Sequence, residues 1–305
     1  IGIQTGSEAE LLDMRPLNKV DFDTSANTSD HVLINIDTQS TSTKKSFVAI
    51  LNHNMASADA KVLIKASDTE SHVQAVNMGS ATAMDTPVEV VNADAIASSI
   101  VTPATDGSTI IKFTEQSLRY WGIQFEGNSS NTFSATDLFV GCIMIGEYYD
   151  MPHAPDMNIT RMISYNRMND LQESYGGQRF SNLKTYGRTA GSTSKSPFTT
   201  ASNGYESQGG RLIYDMNFSF INNTDIMPDE YDIIADDDNF VNDVWNKTNG
   251  NHLPFIFSID KDSEDSDAAN AESEHIFGRF ANNSLDMQQV APEIYNLKLT
   301  VEEEF

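Results

Sequence analysis

Two apolar runs near the middle of the chain, separated by a polar turn region, constrain the fold more than any other feature. Residues 120–125 (YWGIQF) alternate in the manner of a half-buried β-strand, and residues 138–145 (LFVGCIMI) are almost continuously apolar. After Gly146 the sequence changes to EYYDMPHAPD, whose two prolines do not continue a strand. The pattern predicts the last two strands of one β domain, followed by the passage into a second domain.

The N-terminal half is predicted to form a β-sandwich over residues 21–150. Short β-branched or aromatic runs are separated there by clusters of Ser, Thr, Asn and Asp: HVLINID (31–37), KSFVAILNH (45–53) and AKVLIKASD (60–68). Runs at this spacing favour an antiparallel sandwich. Residues 1–20 lack a sustained period and are expected to form an N-terminal arm. Residues 69–108 are polar and rich in Ala and Ser, with one weak strand expected at Val88–Val91. The stretch SDTESHVQAVNMGSATAMD (67–85) is expected to be a long excursion outside the core.

The C-terminal half, residues 151–305, is predicted to be a β-sandwich or barrel domain with one helix. The clearest alternating strand is RLIYDMNFSFIN (211–222), with five apolar side chains expected on one face: Leu212, Tyr214, Met216, Phe218 and Phe220. A helix is predicted at about 228–248, beginning at Pro228 and closed by Gly250. The Gly/Ser/Thr-rich loop 186–210 is too long for a simple connection, so it is expected to be mobile or a contact arm.

Charge and composition narrow the possible partners. The formal charge is −25, from 44 acidic against 19 basic residues, and this argues against nucleic acid as a partner. No apolar run approaches the roughly 18–20 residues that span a bilayer, so no membrane partner is expected. The single cysteine, Cys142, lies inside an apolar run and is predicted to be a buried structural thiol.

The acidic loop 260–274 (DKDSEDSDAANAESE) is the best metal candidate in the sequence. Five carboxylates could supply oxygen ligands to Ca²⁺: Asp260, Asp262, Glu264, Asp265 and Asp267. The EF-hand pattern fails, because Asp265 stands where glycine is required and Ala271 where a bidentate glutamate is required. A solvated hairpin loop is therefore the favoured interpretation, and no cofactor is expected.

No arrangement of side chains in the sequence points to catalysis. The nucleophile-elbow, phosphate-loop and dinucleotide motifs are all missing, so we expect no enzymatic activity. A carbohydrate platform remains an alternative if four aromatic residues are exposed together: Tyr120, Trp121, Tyr148 and Tyr149. Alternation places Tyr120 and Trp121 on opposite faces of their strand, so at least one of the two should be in the core.

The order of these segments resembles two kinds of phage tail protein. In the first half, FVAILNHN, AKVLIKASD, LRYWGIQFEG and DLFVGCIMIGE resemble the galactose-binding-like (discoidin-type) β-sandwich, a jelly roll found in many tail proteins. In the second half, LIYDMNFSF, VWNKTNG, LPFIFSID, IFGRF and IYNLKLTVEEE resemble tail-tube and distal-tail proteins. The resemblance covers about residues 30–305 and carries over no ligand site.

The resemblance implies a non-enzymatic virion structural protein of a tail tip, baseplate or tube. Such a chain is expected to assemble with copies of itself into a ring of three- or sixfold symmetry and to contact other tail or capsid proteins. It would be localised in the phage particle after assembly in the host cytoplasm. Two alternatives stay open: a capsid decoration or head-fibre protein, and a receptor-binding adhesion module that binds a host-surface glycan.

Overall fold

The structure is a computed structural model that describes residues 1–84, 89–97, 99–164, 171–181, 211–229, 238–259 and 274–304. Every strand pair in these ranges is antiparallel. Strands dominate the regular structure, and the helical segments are short. The predicted fold class, all-β and mainly antiparallel, is therefore confirmed.

The first half of the chain supplies the strands of two sheets. In chain order these are β1 (Ile3–Thr5), β2 (Val20–Phe22), β3 (His31–Asp37), β4 (Lys45–His53), β5 (Ala60–Ser67), β6 (Thr82–Ala83), β7 (Glu89–Val91), β8 (Ala95–Ala97), β9 (Ile100–Thr102), β10 (Gly107–Gln116), β11 (Tyr120–Gly127) and β12 (Leu138–Gly146). The helical segments are α1 (Glu70–Gln74) and two 3₁₀ turns, Glu8–Leu12 and Val76–Met78. Sheet I has the order β1-β2-β12-β4-β10-β7, and sheet II has the order β3-β11-β5-β9-β8, with β6 beside β5.

Sheets I and II pack face to face around one apolar core, as the sandwich prediction requires. Strand β11 shows the reason, because Trp121, Ile123 and Phe125 alternate along it and all three are fully buried. The Trp121 ring lies 5.4 Å from the ring of Phe113, which belongs to sheet I. The prediction that Tyr120 or Trp121 enters the core is confirmed for Trp121.

Residues 70–78 cover the outer face of sheet II instead of forming a peripheral excursion. Val73 and Met78 are fully buried there beside Leu63. Gly122 of β11 leaves the space they need, since a Cβ at that position would lie 2.1 Å from the Met78 sulfur. The expectation for this segment was wrong because two apolar side chains in a polar stretch produce no detectable period.

Residues 1–20, expected as an arm, lie against the sandwich of their own chain. Strand β1 pairs with β2, which joins the edge of sheet I. The terminal ammonium donates a hydrogen bond to the carbonyl of His31 at 3.0 Å, and Leu11 is buried in the core. Backbone pairing and apolar burial within the chain hold this segment in place.

The second half of the chain supplies the strands of a third sheet, sheet III, and of one separate strand pair. Its strands are β13 (Thr160–Ser164), β14 (Leu171–Glu173), β15 (Arg179–Ser181), β16 (Arg211–Asn222), β17 (Phe255–Ser258), β18 (His275–Phe280), β19 (Met287–Ala291) and β20 (Ile294–Glu303). Sheet III has the order β13-β16-β20-β18-β17, with β19 beside β20, and β14 pairs separately with β15. A short helix α2 (Asn223–Ile226) follows β16, and a π-helical turn spans Val241–Asn246.

Within the described residues of the predicted helix at 228–248, helical backbone is present only from Phe240 onwards. Pro228 and Asp229 are not helical, and residues 230–237 lie outside the described residues. Helical backbone is confined to Phe240 and the π-helical turn, where Phe240 fills the core against sheet III. The predicted stop at Gly250 is confirmed, since this residue has φ of 66° and its N–H donates to the carbonyl of Trp245 at 2.8 Å.

The β17–β18 hairpin is buried on both of its faces. Because side chains alternate along a strand, one face points into the core of sheet III and the other points at sheet I. The first face carries Phe255, Phe257, Ile276 and Phe280. The second carries Ile256 and Phe277, which pack on the outer face of sheet I against Ala49, Leu51, Cys142 and Met144. Sheet II, sheet I and this hairpin are therefore stacked in layers.

An ion pair also joins the two halves, close to the boundary predicted at residue 150. The Lys247 ammonium lies 2.5 Å from a Glu147 carboxylate oxygen and 3.0 Å from one of Asp243. Burial alone would lower the pKa of Lys247, but the hydrogen bonds to these two carboxylates outweigh it and raise the pKa. Glu147 directly follows β12, so this contact anchors the passage between the halves. The domain boundaries themselves stay a prediction.

A neutral imidazole is buried at the end of β4. His53 Nε2 is paired with the Thr109 hydroxyl at 2.8 Å, and its Nδ1 accepts the N–H of Met55 at 3.2 Å. The ring therefore caps the turn that follows the strand. Burial lowers the pKa of His53 to about 3.

The contact between sheet I and the hairpin predicts a large stability loss on truncation of Phe277. Phe277→Ala should lower the free energy of unfolding by about 3–5 kcal/mol, because a fully buried ring would be replaced by a cavity. The matched control is Phe220→Ala, at a phenylalanine that is 71% exposed, which should change it by less than about 0.5 kcal/mol. Denaturant unfolding measures both, and a loss below about 1 kcal/mol for Phe277→Ala would contradict this packing.

The buried His53 predicts an acid-sensitive fold. An unfolded histidine binds a proton near pH 6.5 and the folded ring only near pH 3, so protons favour the unfolded state between these values. Stability should therefore fall as pH drops from about 6.5 to 5, with a slope of up to about 1.4 kcal/mol per pH unit. The midpoints of urea unfolding at each pH give the slope of stability against pH. The variant His53→Gln should flatten this slope, and the control variant at the exposed His252, His252→Gln, should not. Equal slopes in wild type and His53→Gln would refute this role.

Candidate assembly surface

Strand β13 forms one edge of sheet III. It pairs with β16 in register from Thr160 opposite Asp215 to Ser164 opposite Arg211. Among the residues that the structure describes, no strand pairs with its other side. Alternate N–H and C=O groups of an edge strand point away from the sheet and can pair with another chain. Strand β13 is therefore a candidate for strand addition.

Two of the five residues of β13 are apolar and exposed, and Arg161 beside them is the charged residue of the strand. Met162 is 42% exposed and Ile163 is 63% exposed, and as neighbours in a strand they point to opposite faces. Met157, just before the strand, is fully exposed. Soluble proteins usually protect such edges with charge, proline or a covering segment. We call Met157, Met162, Ile163 and the nearby Phe220 the edge patch.

Hydrogen bonds hold the edge patch to the rest of sheet III. The backbone N–H of Asp156 donates to the carbonyl of Asn217 at 2.8 Å, and its carboxylate accepts the Ser219 hydroxyl at 2.7 Å. Asp156 adjoins Met157 and Ser219 adjoins Phe220, so these two exposed side chains belong to the same end of the edge. The patch is thus attached to a paired strand and is pre-organised for contact.

Phe220 leaves the core face on which the alternation of β16 places it. The pairing of β16 with β20 shifts between Phe218 and Ile221, and both of these residues are buried while Phe220 is 71% exposed. This bulge inserts an extra residue and reverses the alternation. The expectation that Phe220 shares a face with Phe218 is therefore wrong.

The backbone of Phe220 is strained. Its φ of 63° is a left-handed conformation that costs a bulky residue about 1 kcal/mol or more. The N–H of Phe220 donates to the Asn296 side-chain carbonyl at 3.1 Å, which helps to hold the bulge. An exposed phenylalanine in a position that favours glycine points to a role outside the fold itself.

The structure does not bring the four candidate platform aromatics together. Trp121 is buried in the sandwich core, and Tyr149 packs against Phe240 while its hydroxyl donates to the carbonyl of Asp225 at 3.1 Å. Tyr148 is partly exposed beside Lys112. A shared sugar platform built from these residues is excluded, because two of them belong to two different cores.

The remaining sequence candidates give no site in the described part of the chain. Asp260, Asp262, Glu264, Asp265 and Asp267 lie outside the described residues, and so does the loop 186–210. The described residues contain no group of three or more His, Cys, Asp or Glu side chains placed to hold a metal ion. Cys142 is a buried thiol as predicted, and burial raises its pKa to about 12.

Comparison with protein-family models, with curated proteins and with solved structures finds no match to this chain. Within the described residues, no helix is long and apolar enough to cross a membrane. The function of the chain must therefore be inferred from the geometry of the edge patch and from the resemblance in the order of the strand segments.

The strain at Phe220 predicts that glycine is preferred there for stability. Phe220→Gly should raise the free energy of unfolding by about 0.5–1 kcal/mol, because glycine adopts a positive φ without a steric cost. The matched control is Phe220→Ala, which removes the ring and keeps the Cβ that causes the strain. Urea unfolding compares the two variants, and a glycine variant no more stable than the alanine variant would show that the backbone is unstrained.

Proposed function

We propose that the chain is a non-enzymatic structural subunit of a phage tail, at the tail tip, baseplate or tube. It acts by assembling with copies of itself into a ring within the virion. The edge patch is the observation that carries this proposal. An edge strand with exposed apolar residues offers both backbone pairing and apolar burial to a second chain.

The order of the strands supports the resemblance on which the tail assignment depends. The quoted apolar segments coincide with strands of the structure: β4, β5, β11 and β12 in the first half, and β16, β17, β18 and β20 in the second. The first four belong to a sandwich and the last four to sheet III. This arrangement supports a ring-building sheet III, decorated by the sandwich of sheets I and II.

The charge of the chain decides which forces can drive such assembly. Copies that each carry a net charge of −25 repel one another at low ionic strength. Assembly must therefore depend on short-range backbone pairing and apolar contact. Because salt screens the repulsion, assembly should become more favourable as salt concentration rises.

The oligomeric state of the purified chain tests the proposal. Mass measurement in solution and negative-stain imaging should show closed rings of three or six copies, with a larger assembled fraction in 0.5 M than in 0.05 M salt, where the Debye length is about 4 Å and about 14 Å respectively. A chain that stays monomeric at high protein and high salt concentrations would contradict self-assembly.

A pair of charge variants tests whether the edge patch is the contact. Ile163→Asp should reduce the assembled fraction at least about tenfold, because a buried unpaired carboxylate at the interface costs more than about 1.4 kcal/mol. Ile96→Asp is the matched control, since Ile96 is 42% exposed on β8 at an edge of sheet II. Equal assembly of both variants would exclude the edge patch as the interface.

A further inference from the structure

An open cleft of about 530 Å³ lies beside the π-helical turn. One wall is the turn 247–253, and the other is the connection between β18 and β19. The two walls are joined by the side-chain amide of Asn251, which donates to the side-chain carbonyl oxygen of Asn283 at 2.8 Å. We call this the asparagine cleft. Its lining consists of Gly250, Trp245, Asn246, Asn249, Asn251, His252 and Asn283.

Trp245 is fixed in the wall of the cleft. Its ring lies 5.3 Å from the ring of Phe280, which is buried in the core of sheet III. Gly250 also approaches the ring closely, since an added Cβ at this residue would come within 3.3 Å of the indole. Glycine is therefore needed at this position both for its positive φ and for the close approach of the indole.

The turn that carries the asparagines is also held rigidly. The N–H of Leu253 donates to the carbonyl of Thr248 at 2.9 Å, and the N–H of Asn249 donates to the carbonyl of Asn246 at 3.1 Å. The Arg279 guanidinium donates to the carbonyl of His252 and is paired with Glu304. A site built in this way loses little conformational entropy when a ligand binds.

Side-chain amides dominate the polar lining of the cleft. An asparagine amide has two N–H donors and a carbonyl acceptor, so four of them present both kinds of group at once. The bond from Asn251 to Asn283 uses one amide N–H of Asn251 and the side-chain carbonyl of Asn283, and the Asn246 amide donates to the Asn242 side-chain carbonyl at 3.1 Å. The other side-chain N–H and carbonyl groups of the four asparagines take no part in these two bonds. Among the residues that the structure describes, the lining contains no Asp, Glu, Lys or Arg, although 63 of the 305 residues in the sequence are of these types (44 acidic and 19 basic).

We propose that the asparagine cleft binds a neutral saccharide. Sugar hydroxyls both donate and accept hydrogen bonds, as the amides do, and the apolar C–H face of a sugar ring suits the face of an indole. The lack of charged side chains in the lining disfavours acidic sugars and phosphates, which need cationic partners. This proposal does not depend on ring assembly, because the residues that line the cleft all belong to one chain.

The fluorescence of Trp245 provides a probe of sugar binding in the cleft. It has two tryptophans, and Trp121 is fully buried, so a ligand in the cleft should alter the emission of Trp245 alone. The full chain would be titrated with glucose, galactose, rhamnose, N-acetylglucosamine and their short oligomers. We expect a saturable emission change with at least one of them, and no such change in Trp245→Phe.

Calorimetric titration of the protein with the sugar that gives this signal tests whether the sugar binds in the cleft or on another surface. Asn251→Ala combined with Asn283→Ala should weaken binding at least about tenfold, because the amides that contact the sugar are lost. The matched control is Asn158→Ala, at an exposed asparagine before β13, which should bind as wild type does. Thermal unfolding confirms that each variant is folded.

Three results would overturn the proposal. The first is no saturable signal with any of these sugars, and the second is unchanged affinity in the double asparagine variant. The third is binding of acidic saccharides only. All three readouts are obtained equally on monomers and on rings, so their failure is distinguishable from a failure of the assembly proposal.

Discussion

The burial of the β17–β18 hairpin on both faces is the constraint on which the arrangement of the molecule depends. A strand that is apolar on both sides is stable only when it is covered on both sides. Phe277 and Ile256 meet this requirement by packing on sheet I, whose outer face would otherwise expose an apolar patch. The same contact brings the two halves of the chain together, and the Lys247–Glu147 ion pair lies where one half continues into the other.

The anchored hairpin lies at one end of sheet III. With β17 at one end of its strand order, β13 lies at the other, where the edge patch is held by the bonds of Asp156 to β16. The strained Phe220 belongs to the same region, and the pairing of β16 with β20 must supply the energy that maintains it. Strain retained at an exposed apolar side chain is consistent with selection for contact instead of stability.

The two proposed surfaces use different parts of sheet III. The edge patch is built on β13 and β16, whereas the asparagine cleft is built on the turn after the π-helical segment and on the connection after β18. Their chemistry differs too, since the first is apolar with open backbone groups and the second is an uncharged set of amides around Trp245. A subunit with this layout could assemble through one surface while the other stays open to a sugar.

The amino-acid sequence by itself determined the all-β class, the strands whose alternation or apolar runs are regular, the burial of Cys142 and the stop at Gly250. These follow from local rules of period, propensity and backbone freedom. Only the tertiary structure decided that Phe220 leaves its expected face, because a bulge depends on pairing with β20. It alone also decided that Trp245 and Asn283, distant in sequence, line one cleft, since local periodicity carries no information on contacts between separate segments.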